Sequence, residues 1–192
     1  MPKYMRFMLG LLLLSSTAGA VTLDDMVRDL AGPDGAAQAH ARQFLPREGY
    51  PAAEKILPLL SKEEQPIWRT AYNVLADIAN ESTIPGREVE QAKLAALFAT
   101  LVAPQQPEAV KIRGLDLLTI VTPPNGNVKP IAALLGDPAL RERARATLQS
   151  IGSPKACAAL RSGIMKADPE FQAALLQSLA ICRDPKSDGA AR

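Results

Sequence analysis

The sequence uses one helical pattern twice, in two stretches that lie 103 residues apart. The first stretch is GPDGAAQAHARQFLPREGYP at residues 32–51, and the second is GDPALRERARATLQSIGSP at residues 136–154. At this constant offset Asp34, Ala36, Ala41, Arg42, Leu45, Gly49 and Pro51 match Asp137, Ala139, Ala144, Arg145, Leu148, Gly152 and Pro154. A pattern that recurs in this way indicates a chain built from similar units, each of which stacks on its neighbours.

A series of prolines marks where we expect helices to begin. The prolines are Pro33, Pro66, Pro107, Pro138 and Pro169, at spacings of 33, 41, 31 and 31 residues. Two of them follow an aspartate, whose carboxylate can accept hydrogen bonds from the exposed N–H groups of a first helical turn. Proline in that turn costs no hydrogen bond, because the N–H it lacks would have no partner inside the helix. We therefore expect the first helix of a hairpin after each proline.

The expected first helices share an apolar stripe. Each has a small or apolar residue, a leucine four positions later and a further apolar residue three positions after that. Steps of four and three keep these side chains on one helical face, which we expect to be buried. The sets are Ala71/Leu75/Ile78, Gly114/Leu118/Val121, Ala144/Leu148/Ile151 and Leu175/Leu179/Cys182. Ala41 and Leu45 begin the same pattern, but Glu48 ends it, so the earliest repeat departs from the others.

Second helices and turns complete the expected hairpins. The second helices are expected at Pro51–Ser61, Arg87–Val102, Val128–Leu135 and Pro154–Lys166. Residues 21–31 are expected to form an additional N-terminal helix that covers the first repeat. Gly- and Pro-containing turn signals separate the segments, and no stretch alternates with period two over the length of a strand. The sequence therefore predicts an all-α fold.

The segment LRERARATLQSIGSPKACAALRSGI, residues 140–164, resembles a HEAT repeat. Its first helix carries Leu-Arg and then Ala-x-x-x-Leu, a turn with Gly and Pro follows, and the second helix repeats Ala-x-x-x-Leu. The resemblance extends over about residues 32–184. Similar sequence segments occur in secreted bacterial HEAT-repeat proteins. It implies a short right-handed α-α superhelix, a solenoid of about four helical hairpins plus a partial fifth. HEAT motifs specify a shape, so the family implies a binding or assembly role.

Residues 1–20 have the three-part organisation of a secretory signal peptide. Lys3 and Arg6 form a basic start, Phe7–Leu14 an apolar core and Ala18-Gly19-Ala20 a cleavage site before Val21. The alternative, an anchoring transmembrane helix, needs about 20 apolar residues, which this stretch does not provide. We therefore expect a periplasmic or secreted protein with no stable membrane anchor after cleavage.

The remaining chain, residues 21–192, carries 20 basic and 20 acidic side chains. This balance lacks the basic footprint that nucleic-acid binding needs. Residues 185–192 are expected to form a flexible tail after the repeat domain.

The sequence contains no recognisable catalytic or cofactor motif. His40 is the single histidine and fits no zinc motif, and the acidic pairs at Glu63/Glu64 and Glu88/Glu90 lie at turns and helix starts. Acidic groups there are favoured by the helix dipole. We expect a protein that is not an enzyme and that holds no metal or cofactor.

Basic side chains on the second helices are candidates for binding a partner. Lys55, Lys129, Lys155 and Arg161 would form a shallow basic row if the second helices line one curved face; the alternative is scattered surface charge. Trp68 is the single tryptophan, and it is either an interface anchor or a core residue, since it shares a helical face with Ala71 and Leu75.

The two cysteines, Cys157 and Cys182, lie on consecutive expected helices. An oxidising compartment permits a disulfide between them. Measured along the helix axes, their distances from the intervening turn differ by about 7 Å, which is at the limit for a disulfide. The alternative is that each thiol packs as a small hydrophobe on an apolar face.

Two functions fit these observations. The first is a non-catalytic scaffold whose inner curved surface binds a protein or peptide. The second is an accessory repeat domain of a larger secreted enzyme or multidomain protein.

Overall fold

The structure is a computed structural model that describes residues 21–182. Within that range it has ten α-helices, four short 3₁₀ helices and no strand, which confirms the all-α prediction there. The α-helices are α1 (Leu23–Leu30), α2 (Gly35–Phe44), α3 (Tyr50–Ile56), α4 (Gln65–Ser82), α5 (Glu88–Ala99), α6 (Glu108–Val121), α7 (Lys129–Ala133), α8 (Arg141–Ile151), α9 (Pro154–Ile164) and α10 (Pro169–Ile181). The 3₁₀ helices are Leu45–Glu48, Leu57–Ser61, Thr100–Val102 and Leu134–Gly136. None of the helices described is long and apolar enough to cross a bilayer.

The expected signal peptide, residues 1–20, lies outside the described residues. The same holds for the expected tail, residues 185–192. The additional helix expected in residues 21–31 is α1, whose N-terminus is closed by reciprocal hydrogen bonds between Thr22 and Asp25. Helix α1 packs against α2, α3 and α4.

Side chains cap the N-termini of α10 and α2, and the cap of α10 lies where the sequence predicts it. Asp168 Oδ1 accepts a hydrogen bond from Phe171 N at 2.9 Å, with Pro169 in the first turn of α10. Asp34 Oδ1 accepts from Ala36 N at 2.8 Å at the start of α2. These bonds satisfy donors that a helix leaves unpaired at its N-terminus.

The expected helix start at Pro138 is wrong by three residues. Asp137 Oδ1 accepts from Ala139 N at 3.0 Å, and the Asp137 carbonyl accepts from Leu140 N and Arg141 N at 3.0 and 2.7 Å. These bonds close a separate turn, so α8 begins only at Arg141.

The second helices occupy the expected segments to within two residues at each end, but three of the four finish as 3₁₀ helices. In the first of them Pro58 lies in the 3₁₀ segment. Proline has no N–H with which to continue an α-helix.

The apolar stripes of the first helices form the core. The leading residues Ala71, Gly114, Ala144 and Leu175 are buried, as are the central leucines of each set. The third positions vary: Ile78 and Val121 are buried, whereas Ile151 and Cys182 are only partly buried. The prediction of a buried face is therefore confirmed.

Gly114 shows why the leading position of the stripe is small. A Cβ atom placed on this glycine would lie 2.7 Å from Leu101 Cβ and 3.1 Å from Val102 Cγ1. The start of the stripe on α6 thus lies directly against the 3₁₀ helix Thr100–Val102.

Successive first helices pack on one another. Helix α6 contacts both α4 and α8, and α10 contacts α8. Among the second helices, α3 contacts α5 and α7 contacts α9. The paired layers bring the second helices α7 and α9 side by side.

Arginines on α8 join the neighbouring first helices. Arg143 Nη2 lies 3.0 Å from Asp116 Oδ2 on α6, and Arg145 Nη1 donates to Ser178 Oγ on α10 at 2.6 Å. Burial raises the pKa of Asp116 above its ordinary value, and the opposing effect of the Arg143 charge is smaller. The layers are thus connected by polar bonds as well as by apolar packing.

Candidate functional site

A groove follows the seam between α7 and α9. It consists of two depressions of about 440 and 630 Å³, which share Ala132, Ala159 and Ser162 as lining residues. We call these two depressions the α7–α9 groove. A further depression of about 630 Å³ adjoins the larger one through Ala133 and Gly136 and reaches the end of α5.

The groove exists because α9 carries small side chains along its seam with α7. On α9 the buried residues are Ala156, Cys157 and Leu160. Ala158, Ala159, Ser162 and Gly163 of the same helix line the groove. Ala158 and Ser162 are exposed on the side turned away from the core, whereas Ala159 and Gly163 are half-buried at the border of the core-facing side. Side chains this short leave the space between α7 and α9 open.

Three lysines lie around the groove. Lys129 and Lys155 line the smaller depression, and Lys166 lines the larger one. All three are exposed, and the Lys155 ammonium group donates to the Asn125 carbonyl at 2.6 Å. Within residues 21–182 none of the three lysines forms an ion pair with a carboxylate. The groove therefore carries a local positive charge.

Two of the residues that line the larger depression, Arg141 and Asp168, form an ion pair. Arg141 Nη1 lies 2.5 Å from Asp168 Oδ2, and the guanidinium carbon lies 4.7 Å from the centre of the Phe171 ring. The Phe171 N–H bond, followed by the Arg141 bond, lowers the pKa of Asp168 below its ordinary value. Asp168 is thus ionised at neutral pH and is compensated by Arg141, so it does not offset the lysines.

The structure brings together two of the four residues of the predicted basic row. Lys129 and Lys155 line the same depression. Lys55 lies on α3, where its Nζ atom is 2.5 Å from Asp24 Oδ1. Arg161 lies on α9 but is half-buried and is not among the residues that line the groove.

Lys166 was not among the predicted residues of the basic row. It follows Lys155 by 11 positions, which is about three helical turns and places both on the same side of a helix. That spacing was a usable signal.

Trp68 lies apart from the groove, in the first turn of α4. Its ring is half-buried and is covered by the Arg113 guanidinium, whose carbon lies 3.9 Å from the ring centre. Arg113 also donates to the Leu60 carbonyl, and burial lowers the pKa of Arg113 below its ordinary value. The tryptophan therefore takes part in a contact between α4 and α6.

Both cysteines are thiols in the structure. Cys157 is buried on α9, and its Sγ atom lies 3.9 Å from the Gly152 carbonyl oxygen. Cys182 is half-buried at the end of α10, with its Sγ atom 3.5 Å from the Gln149 carbonyl oxygen. The two sulfur atoms thus contact carbonyls near the same end of α8.

His40 is exposed on α2, and its ring centre lies 4.5 Å from that of Phe44. In the described part of the chain, no three His, Cys, Asp or Glu side chains come together as a metal-binding group.

No family model matches the chain, and a search of curated proteins finds no match. Among solved structures, the chain is similar to an engineered protein whose crystal structure comes from the Northeast Structural Genomics Consortium. The similarity covers 83% of this chain and 78% of that chain, with 18% sequence identity and a TM-score of 0.45. A likeness at this level does not indicate a function.

Proposed function

We propose that the protein is an exported, non-catalytic helical-repeat scaffold that binds a protein or peptide partner in the α7–α9 groove. The observation that carries this proposal is the groove itself, two connected depressions with a floor of small side chains and lysines at the edge. Binding sites are typically concave and mostly apolar, with a few polar groups that orient the ligand. The α7–α9 groove has this composition.

The proposed architecture is a short right-handed superhelix of HEAT-like hairpins. The succession of α4, α6, α8 and α10, each packed on the next, supports it. In such a stack each hairpin fills the space beside its neighbour, and the second helices form a continuous surface. The seam between two second helices is then a natural place for an elongated ligand.

The proposed location is the periplasm or the exterior of the cell. The basic start, the apolar run Phe7–Leu14 and the small residues before Val21 support export. The partner would then be a protein of the cell envelope or of the medium.

Chemical cross-linking in the envelope fraction tests the scaffold function. Ser162 is exposed and lines both depressions, so Ser162→Trp should fill the groove. Ser150→Trp is the matched control, since Ser150 is exposed on α8 and does not line the groove. A partner that cross-links to the wild type and to Ser150→Trp, but not to Ser162→Trp, supports the proposal. Identical cross-links in both variants would count against it.

A second candidate is an accessory repeat domain of a larger secreted enzyme or multidomain protein. The observation in its favour is the outer face of α10, where Leu176 and Ile181 are 41% and 57% exposed. A further hairpin packed on α10 would bury both side chains. An in-frame continuation of the coding region with more hairpins would support this candidate.

A further inference from the structure

We propose that the segment bound in the α7–α9 groove is an extended peptide that carries carboxylates separated by small residues. This inference rests on the scaffold function proposed above, and it names the chemistry of the partner.

The charge of the groove selects an acidic segment. Lys129, Lys155 and Lys166 lie along its edge, and no carboxylate in residues 21–182 pairs with them. The chain after residue 20 is balanced in charge, so this local excess is a property of the groove and not of the whole protein. Complementary charge speeds association and excludes partners of like charge. A basic segment is therefore rejected, and a neutral one gains nothing from the lysines.

The shape of the groove selects an extended segment with small side chains. Its floor consists of Ala132, Ala158, Ala159, Ser162 and Gly163, so the main chain of a ligand can approach the helices closely. The smaller depression is lined by α9 residues from Lys155 to Ser162 and the larger one by residues from Ala159 to Lys166, so the two follow one another along the helix.

The spacing of the lysines sets the spacing of the carboxylates. Lys155 and Lys166 are 11 positions apart in the sequence, which is about 16 Å along a helix. An extended chain advances about 3.3 Å per residue. Carboxylates about five residues apart can therefore reach both ends of the groove.

Residues 183–192 of this chain are not the complementary segment. They contain three basic and two acidic residues, which gives no excess of negative charge. An anionic bilayer is also excluded from the floor of the groove, because a lipid surface is broad and the small residues lie between two helices. The charge and shape of the groove therefore point to an acidic segment of another protein.

Fluorescence anisotropy with synthetic peptides tests the inference on the protein purified after export. The probe is a labelled peptide of four Asp-Ala-Ser-Ala-Ser repeats, which places the aspartates five residues apart, and its controls replace every aspartate by asparagine or by lysine. The aspartate peptide should bind about tenfold more tightly than the asparagine peptide, and this preference should decrease as salt is raised.

Two groove variants and one control variant assign the binding to the groove. Lys129→Gln/Lys155→Gln/Lys166→Gln should weaken binding of the aspartate peptide by about tenfold or more, because three exposed charge pairs are lost. Ser162→Trp should abolish binding without any change of charge. The control Arg42→Gln/Lys62→Gln/Lys93→Gln removes three exposed positive charges elsewhere and should leave binding unchanged.

Each other outcome overturns the inference in a distinct way. If Ser162→Trp removes binding of the asparagine or lysine peptide while the aspartate peptide binds no better, the scaffold function stands and the acidic partner is wrong. If the aspartate peptide binds Ser162→Trp as well as it binds the wild type, the lysines act only as a diffuse surface charge. Binding to phosphatidylglycerol vesicles in place of the peptides would assign the charge to a lipid surface. If the protein binds none of the peptides and no cross-linked partner depends on the groove, both proposals fail.

Discussion

Replacing Gly114 by alanine should destabilise the protein, although alanine is the better helix former. The added methyl group would lie 2.7 Å from Leu101 Cβ, a distance that real Cβ atoms do not tolerate. Leu101 Cβ is attached directly to the backbone of the 3₁₀ helix Thr100–Val102, so no side-chain rotation can move it away. Either α6 or the 3₁₀ helix must therefore shift.

Two opposing effects set the size of the change. Overpacking a close-packed core costs about 1–3 kcal/mol. Replacing glycine by alanine inside a helix returns about 1 kcal/mol. Because the contact involves an atom fixed to the backbone, we expect an overpacking cost in the upper part of the range of about 1–3 kcal/mol. The net loss of unfolding free energy is then roughly 1–2 kcal/mol, which lowers the Tm by roughly 2–8 °C for a chain of this size.

Gly163→Ala in α9 is the matched control. A Cβ atom on Gly163 would meet Leu135 Cδ1 at 3.2 Å and Leu175 Cδ1 at 3.4 Å, and both are the ends of flexible side chains. These methyl groups can move, so we expect stability within about 0.5 kcal/mol of the wild type or slightly above it. Urea unfolding followed by circular dichroism measures both variants. If Gly114→Ala were as stable as Gly163→Ala, the close approach at α6 would be refuted.

Three further predictions concern other single sites, each to be measured by urea unfolding. Gly49→Ala should destabilise by about 1 kcal/mol or more, because φ is +62° and the new Cβ atom would lie 2.0 Å from Glu90 Oε1; an unchanged midpoint would contradict this geometry. Asp168→Asn should be less stable than the wild type at pH 7, and the gap should close as the pH falls below 3.8, since the pKa of Asp168 is lowered in the folded state; a gap that persists at pH 2 would contradict the assignment. Asp116→Asn should be at least as stable as the wild type at pH 7, because burial raises the pKa of Asp116 and its charged form is disfavoured despite Arg143; a clear loss of stability would show that the ion pair outweighs burial.

The pKa of Asp168 is lowered and that of Asp116 is raised because their surroundings differ. Asp168 is exposed and receives hydrogen bonds from a helix N-terminus and an arginine, so folding favours its charge. Asp116 lies half-buried between α6 and α8, where the loss of water outweighs its arginine partner. A carboxyl group whose pKa is lowered by folding stabilises the protein at pH values above its unfolded-state pKa. A carboxyl group whose pKa is raised by folding stabilises the protein only at pH values below its folded-state pKa.

The groove could be predicted only in part. The lysines of the predicted row carry the same charge, and each was expected on a second helix, but their surroundings differ. Lys55 pairs with Asp24 of α1, whereas Lys129 and Lys155 line the same depression between α7 and α9. The sequence shows that each lysine lies on a second helix, and it does not show which acidic side chain comes near it. Lys166 was missed although the expected helix Pro154–Lys166 contains it, because the sequence does not show which lysines of that helix face the same groove.

The sequence by itself determined the helices and their buried faces. Both depend on neighbours within about eight residues: a cap such as Asp168, a stripe such as Ala71/Leu75/Ile78, and a turn between them. Even the error at Pro138 is local, since the Asp137 side chain and carbonyl close a turn before the helix begins.

Only the tertiary structure decided which side chains from different hairpins meet. The contact of Gly114 with Leu101, the cover of Arg113 on Trp68, and the open seam lined by Lys129 and Lys155 join residues far apart in the chain. Such contacts depend on how closely two helices approach and on their relative rotation. These quantities are set by the summed packing of many side chains, and no short stretch of sequence contains them.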